Sequence, residues 1–547
     1  HYVRKWDMQF APSVCMNCSL GCNVSPGERY GDVRRIENRY NGDINHYFLC
    51  DRGRFGYGYV NRKDRPRAAF VKHGDKQEPA PDDDALAHVG GLLRGAKHAI
   101  GIGSPRASLE SNYALRELVG ADNFFDGHAD TERELVLRAI DILRHSPAPS
   151  ATLKEVESAD AALVLNEDVT QTAPRIALSL RQAARGRAAT LAAEKNLQAW
   201  QAEALAHLAQ DERNPIFVTA SHATHIDDIA AECYRAAADD QARLGFAVAH
   251  IIDSSAPQVP DLDENPQALA PRIADTLLAA DNPLLVSGTG AACKAVLDAT
   301  ANIAAALHTR GKAVKLFLAL PEANSFGLGL MQARPLGEAL KALESADADV
   351  AVVLENDLYR RAAPDTVDAA LAHARLVCID HQATQTLHRA EVVLPAATVF
   401  EGDGTVINNE GRAQRYFQVF DTRYYNPEVA TTESWRWLRR IKAHAQADGH
   451  DSSTLDDLTE ACAHAFEALA PISRAAPEAD FRIFGLKAAR APHRYSGRTA
   501  MRANLSVHEP RASHDTDSAL SFSMEGFNGT GADTPRPAAL IPYVGAG

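Results

Sequence analysis

Cysteine is scarce in this chain, with eight residues in 547. That is far too few for a disulfide-built scaffold, and a reducing compartment is the better expectation. No run of about 18 or more apolar residues occurs, so no membrane span is expected. Nor is there a secretory signal pattern at the start, although residue 1 is His rather than Met and the chain therefore reads as a fragment or a processed product. Positive charge is in deficit: 57 Lys and Arg face 71 Asp and Glu, a net of -14, which argues against nucleic acid as a main partner. The composition, 46% apolar and 23% charged, is that of a globular protein, and the length is too great for one hydrophobic core.

The few cysteines are unevenly placed. Four of the eight lie in the first fifty residues: Cys15, Cys18 and Cys22 in CMNCSLGC, and Cys50 in FLCDRGRFG. The same segment runs against the overall charge, since residues 1 to 67 hold 12 Lys and Arg against 7 Asp and Glu. Cys233, Cys293, Cys378 and Cys462 stand far apart and read as small buried hydrophobes.

Three readings compete for the first four. Disulfides between such close neighbours would be strained. A structural zinc site usually draws its four thiolates from two separated CxxC knuckles, whereas here three come from one loop and one from far along the chain. The three-plus-one spacing suits a [4Fe–4S] cluster, in which each thiolate reaches a different iron. Arg52 and Arg54, just after Cys50, would offset the negative charge of such a cluster.

From about residue 80, short apolar runs alternate with amphipathic helices. The runs include AIGIGS (99–104), AALVLNED (161–168), PIFVTA (215–220), PLLVSGTG (283–290), VAVVLEND (350–357) and ARLVCIDH (374–381). This alternation predicts an α/β fold with doubly wound parallel sheets. The expected division is a small β-rich cluster domain over 1–67, a first α/β domain over 68–260, a second over 261–425 and a helical, then irregular, segment over 426–547. The Pro- and Asp-rich stretch at 250–280 marks the expected boundary between the two α/β domains.

CMNCSLGC followed by LCDRGRFGYGYV resembles the iron–sulfur module of the molybdopterin oxidoreductase family, which includes formate dehydrogenases and periplasmic nitrate reductases. Longer runs narrow the resemblance to the respiratory complex I branch, the large iron–sulfur subunits of bacterial NADH-quinone oxidoreductases. They include GIGSPRASLESNYALRELVGADNFF, LNEDVTQTAPRIALSLRQA, EGDGTVINNEGRAQRYFQVFD and APHRYSGRTAMRANLSVHEPR. The resemblance extends from about residue 3 to about 525. It implies an iron–sulfur domain followed by two Rossmann-like α/β domains, and one [4Fe–4S] cluster on Cys15, Cys18, Cys22 and Cys50. It also implies partners in the hydrophilic arm of complex I, among them the NADH- and flavin-binding subunit and the quinone-module subunits. The implied location is peripheral, on the cytoplasmic side of the bacterial inner membrane. Relatives normally carry a ferredoxin-like region before this part and a β-rich domain after it, so the chain reads as a central piece.

A stand-alone molybdopterin enzyme such as a formate dehydrogenase is the alternative. Such enzymes usually ligate the metal through Cys, selenocysteine or Ser, yet no Cys lies between 50 and 233, and Ser146 reads as a loop residue. GIGSPR (101–106) and GTGAAC (288–293) each begin G-x-G but do not complete a dinucleotide fingerprint. Glu167 and Asp168 in LNED stand where cofactor-binding relatives have a Gly-Ser/Thr-Asn turn, and would repel phosphate. Asn408, Asn409, Glu410 and Arg412 are expected to hold a loop together. Among 21 scattered histidines only His381 merits attention. The expected cofactor inventory is one [4Fe–4S] cluster with no molybdopterin and no catalytic residue in this chain.

Overall fold

The computed structural model describes residues 3–198, 200–446, 453–474, 478–479, 522–523 and 526–527. The irregular stretch expected beyond 490, with its arrest before a β-rich domain, lies outside the described residues except for two short strands at 522–523 and 526–527.

Four antiparallel strands open the chain: β1 (Gln9–Phe10), β2 (Ser13–Val14), β3 (Asn23–Arg29) and β4 (Asp32–Asn38). β3 pairs with the other three. Their core is small, as the Gly-, Asn- and Arg-rich sequence implies. It joins Leu20, Val24, Val33, Ile36 and Ile44 to the cysteines and to apolar residues of the α/β part.

Next come β5 (Ala69–His73), β6 (Lys76–Ala80), β7 (Ala99–Ile102) and β8 (Phe124–Phe125). The following strands are β9 (Ala161–Leu165), β10 (Ile216–Ala220), β11 (Glu232–Arg235), β12 (Pro283–Gly288) and β13 (Lys315–Ala319). These five form one wholly parallel sheet in the order β11-β10-β9-β12-β13. β9, β10 and β12 are buried along their whole length, so they read as continuous apolar runs rather than alternating ones.

β14 (Val350–Leu354), β15 (Arg375–Asp380) and β16 (Val392–Pro395) return to the earlier strands. The second sheet runs β6-β5-β16-β15-β14-β7-β8, parallel from β16 to β8, with the β5–β6 hairpin added antiparallel at one edge. A hairpin of β17 (Gly404–Ile407) and β18 (Ala413–Tyr416) follows, then helices Ser434–Gln446 and Leu455–Ala465.

The sheets do not follow the division expected near residue 260. β12 and β13, assigned from the sequence to the second α/β domain, belong to the same sheet as β9–β11. β5–β8, assigned to the first, pair with β14–β16. One α/β unit is therefore inserted into the other. Within the Pro- and Asp-rich stretch, residues 253–263 form a loop between helices Ala238–Ile252 and Glu264–Ala279, which pack on each other inside the five-stranded unit. Proline and aspartate mark a turn, and a turn between two helices has the same local composition as a domain linker.

Each sheet has one point where strand order reverses, between β9 and β12 in the first and between β7 and β14 in the second. Crevices at the carboxyl ends of strands beside such points are where open α/β sheets place ligands.

Candidate metal centre

The loop from β2 to β3 carries Cys15, Cys18 and Cys22, all buried. It is closed on itself by the Cys15 amide donating to the Cys22 carbonyl at 2.9 Å. Gly21 takes φ of +68°, and a side chain there would run into Gln414 Oε1. Cys50, half-buried, caps the short helix Asp51–Phe55. At Gly53 a Cβ would lie 2.7 Å from Leu49 Cδ1 and 3.3 Å from Cys15 Sγ, so Leu49 would have to shift to admit one.

The four thiols feel one another. Burial pushes the Cys15 thiol up to about 11, with Cys50 adding to it. Burial and then Cys15 push Cys18 up to about 12. Cys22 is raised well above the ordinary range by burial, then by Cys18, Cys15 and Cys50. As bare thiols Cys15, Cys18 and Cys22 hold their protons at neutral pH, and only a strongly bound cation would displace them. Among the described residues no group of three or more His, Cys, Asp or Glu is arranged to hold a metal ion. One tetrahedral zinc at about 2.3 Å from each sulfur would draw the thiolates to within about 4 Å of each other. A cubane keeps its thiolates farther apart, on separate irons.

Amide hydrogens point at the sulfurs. Asn17 Nδ2 donates to Cys15 Sγ at 3.6 Å, and the Gly53 amide to Cys50 Sγ at 3.4 Å. Arg52 crosses the loop, donating to the Asn17 carbonyl at 3.4 Å and to that of Gln171. The β17–β18 hairpin clamps the loop from outside: Asn409 N donates to Ser19 O at 2.9 Å, Asn408 Nδ2 to Leu20 O at 3.1 Å and Gln414 Nε2 to Gly21 O at 2.8 Å. The turn of that hairpin is also bonded within itself, the Glu410 and Arg412 amides donating to Asn408 Oδ1.

Arg175 escaped the sequence reading. It stands in the first turn of helix Pro174–Glu194 and is only 2% exposed. Its guanidinium lies over the Phe48 ring, 5.2 Å from the centroid. Nη2 reaches Glu157 Oε1 at 3.5 Å, while Nε and Nη1 have no hydrogen-bond partner. Its charge pulls the Cys22 thiol back down. Nothing local in TAPRIALSL distinguishes this arginine from a solvated one.

The two strand-order reversals are filled differently. In the five-stranded sheet the chain leaves β9 through Asn166, at φ of +51°, into buried Glu167. Glu167 Oε2 accepts the Gly290 amide of the GTG turn at 3.0 Å. A Cβ on Gly288 or Gly290 would come within 2.5 or 2.6 Å of the same carboxylate. The glycines thus make room for an internal carboxylate. Asp168 caps the four-residue helix that follows. In the other sheet Asn112 Oδ1 accepts the Ser104 amide at 2.9 Å, and Arg106 turns away to the Glu355 carbonyl. Beside this second reversal, at the ends of β14 and β15, a cavity opens toward Met16 and Asn17 of the cysteine loop and is lined also by Glu355 and His381. Ser146 is elsewhere, ending helix Asp130–His145, with its oxygen accepting the Ala148 amide.

Burial raises the Glu167 carboxyl to about 7, from an ordinary value of 4.5. Folding therefore takes up a proton between those values. The contribution of Glu167 is most favourable below about pH 4.5 and is lost as pH rises through about 7. Glu167→Gln keeps an acceptor for the Gly290 amide. It is expected to leave stability nearly unchanged at pH 4.5 and to raise it at pH 8 by up to about 3 kcal/mol, at roughly 1.4 kcal/mol per pH unit. Urea unfolding at both pH values reads this directly, and an equal effect at both would refute it.

Two family models match. The molybdopterin oxidoreductase Fe4S4 domain covers residues 8–62, and the molybdopterin oxidoreductase model covers 83–426. The G subunit of NADH-quinone oxidoreductase from Pseudomonas fluorescens is 52% identical over 544 residues, which is 99% of this chain and 59% of the relative. The corresponding G subunits of Salmonella typhimurium and Escherichia coli K12 are each 52% identical, over 100% and 96% of this chain and 60% and 58% of their own lengths. The chain thus spans about 60% of the curated relatives it matches. Among solved structures, acetylene hydratase from Pelobacter acetylenicus shares the fold, with a TM-score of 0.51 and 13% identity over 82% of this chain and 71% of that one. On these matches, and on a mixed α/β architecture with an iron–sulfur module at its front, the chain belongs to the molybdopterin oxidoreductase family, where it groups with the G subunits of NADH-quinone oxidoreductases.

Proposed function

We propose that the chain is part of an iron–sulfur subunit of proton-pumping NADH:quinone oxidoreductase, carries one [4Fe–4S] cluster on Cys15, Cys18, Cys22 and Cys50, and holds no molybdopterin. The observation that carries this reading is the pairing of three buried cysteines on one loop and Cys50 at the adjoining helix cap with a carboxylate seated at the GTG turn.

The cysteine site fits a cluster. The donors are all thiols, three of them buried, two receive N–H hydrogen bonds, and Gly53 leaves the loop free of a side chain that would crowd Cys15. A bound cluster would supply reversible one-electron transfer. The chain's own residues exclude water, hold the loop through the β17–β18 hairpin and set a positive field with Arg52 and Arg175.

A pterin dinucleotide does not fit. Its phosphates would have to displace Glu167 from the Gly290 amide and share the site with that carboxylate and Asp168. NADH oxidation would then take place on a partner carrying flavin, and quinone reduction at another partner's surface, with this chain on the cytoplasmic side of the inner membrane. Among the described residues no helix is long and apolar enough to cross a membrane.

Metal analysis of anaerobically purified protein tests the reading. About four iron with matching sulfide, and neither molybdenum nor tungsten, is the expected result. Stoichiometric molybdenum or tungsten would sink it, and zinc without iron would make the module a structural knuckle.

A further inference from the structure

The cavity beside the second strand-order reversal has a volume of about 220 Å³. Its lining carries three carboxylates, Glu355, Asp403 and Glu433, and one cation, Arg106; Glu433 is paired with Arg436 at 2.9 Å and Asp403 accepts the Gln418 amide. Arg106 is already engaged, donating to the Glu355 carbonyl at 2.9 Å and facing Glu322 at 3.6 Å. Glu355 Oε1 accepts the Ser434 hydroxyl at 2.5 Å. Its other oxygen faces His381 Nε2 at 3.8 Å and makes no hydrogen bond among the described residues. Burial and Arg65 hold His381 neutral, so that ring offers no compensating charge. On the neighbouring strand Asp380 has a buried carboxylate oxygen with no partner. Thr398, 2% exposed, borders the cavity, with its unpartnered hydroxyl buried in the wall rather than open to it. Tyr59, Tyr416, Met16 and Val399 supply apolar and aromatic surface. Buried polar atoms are normally satisfied, and a concave site with a few convergent polar groups on apolar walls has the make-up of a ligand site.

We propose that this cavity binds a small organic cation of the amine or amidine class, its N–H groups on the Glu355 carboxylate and its body against Tyr59 and Val399. An anion is disfavoured by the same carboxylates, and the volume admits about one ring. Burial and Asp380 raise the Glu355 carboxyl to about 7, so a bound cation would also draw off its proton near neutral pH.

The test is calorimetric titration of the anaerobically purified protein, cluster in place, with benzamidinium, and with neutral benzamide and anionic benzoate as controls. Saturable one-to-one binding of benzamidinium, with none of benzoate, is expected. Glu355→Gln should weaken it about tenfold or more, because a charge-assisted bond becomes a neutral one. Absence of saturable binding, equal affinity in Glu355→Gln and the parent, or equal binding of benzoate would overturn the proposal. It rests on the reading that no pterin fills this region: molybdenum or tungsten on the chain would defeat that reading, whereas their absence together with no benzamidinium binding defeats this proposal alone.

Discussion

Replacing Arg65 by methionine is expected to destabilise the protein by about 3–5 kcal/mol, because it strands a buried carboxylate. Arg65 lies in the connection that leaves the cysteine domain, and its side chain is fully buried. Its two terminal nitrogens grip Glu401 at 2.9 and 2.6 Å, one of them also donates to the Val60 carbonyl at 2.6 Å, and Nε reaches the His381 carbonyl at 3.1 Å. Glu401 accepts the Thr398 amide as well, so it stays in place when the arginine goes. The double variant Arg65→Met/Glu401→Met should recover most of the loss, since a buried ion pair replaced whole by apolar groups is often neutral. Urea unfolding of the parent, both single variants and the double variant checks this. A double variant no better than Arg65→Met would show that the pair itself is not the source.

Arg175→Met should lower the reduction potential of the cluster by on the order of 100 mV. At an effective dielectric of about 20, losing a neighbouring buried unit charge removes on the order of 2 kcal/mol of attraction for an added electron, which for one electron is that shift. The geometry makes the charge count: the guanidinium is buried, two of its N–H positions are unpartnered, and its field reaches Cys22. Arg175→Lys should retain much of the effect. An EPR-monitored redox titration, with iron counted on the same samples, separates a lowered potential from a lost cluster. A potential unchanged in Arg175→Met at full iron content would remove Arg175 from any electrostatic role.

Strands such as 161–165, 283–288 and 350–354 were legible because burial on both faces writes a continuous apolar run into the sequence. Helices 109–119 and 174–194 were legible from their amphipathic spacing. What could not be read was which strands share a sheet. β7 pairs with β14 across some 250 positions, Val352 opposite Gly101, and neither segment carries a local mark of its partner. The four cysteines were visible from spacing alone, as was the acidity of LNED. That Glu167 lands on the Gly290 amide was not, because the contact joins two turns whose approach depends on the parallel register of β9 and β12. Arg175 and the cavity belong to the same class, since burial beside a distant loop is a tertiary fact.

The insertion of one α/β unit into the other also sets a timetable for the nascent chain. When β7 and β8 leave the ribosome, β7's other partner β14 has yet to be made, and the whole five-stranded unit must be translated first. At about 5–20 residues per second that delay is on the order of tens of seconds. The inserted unit has all its strands in hand before β14 emerges and can close on its own, while β7 waits with an apolar edge exposed. Strand 99–102 is accordingly the segment whose protection from a chaperone or from aggregation matters most during synthesis.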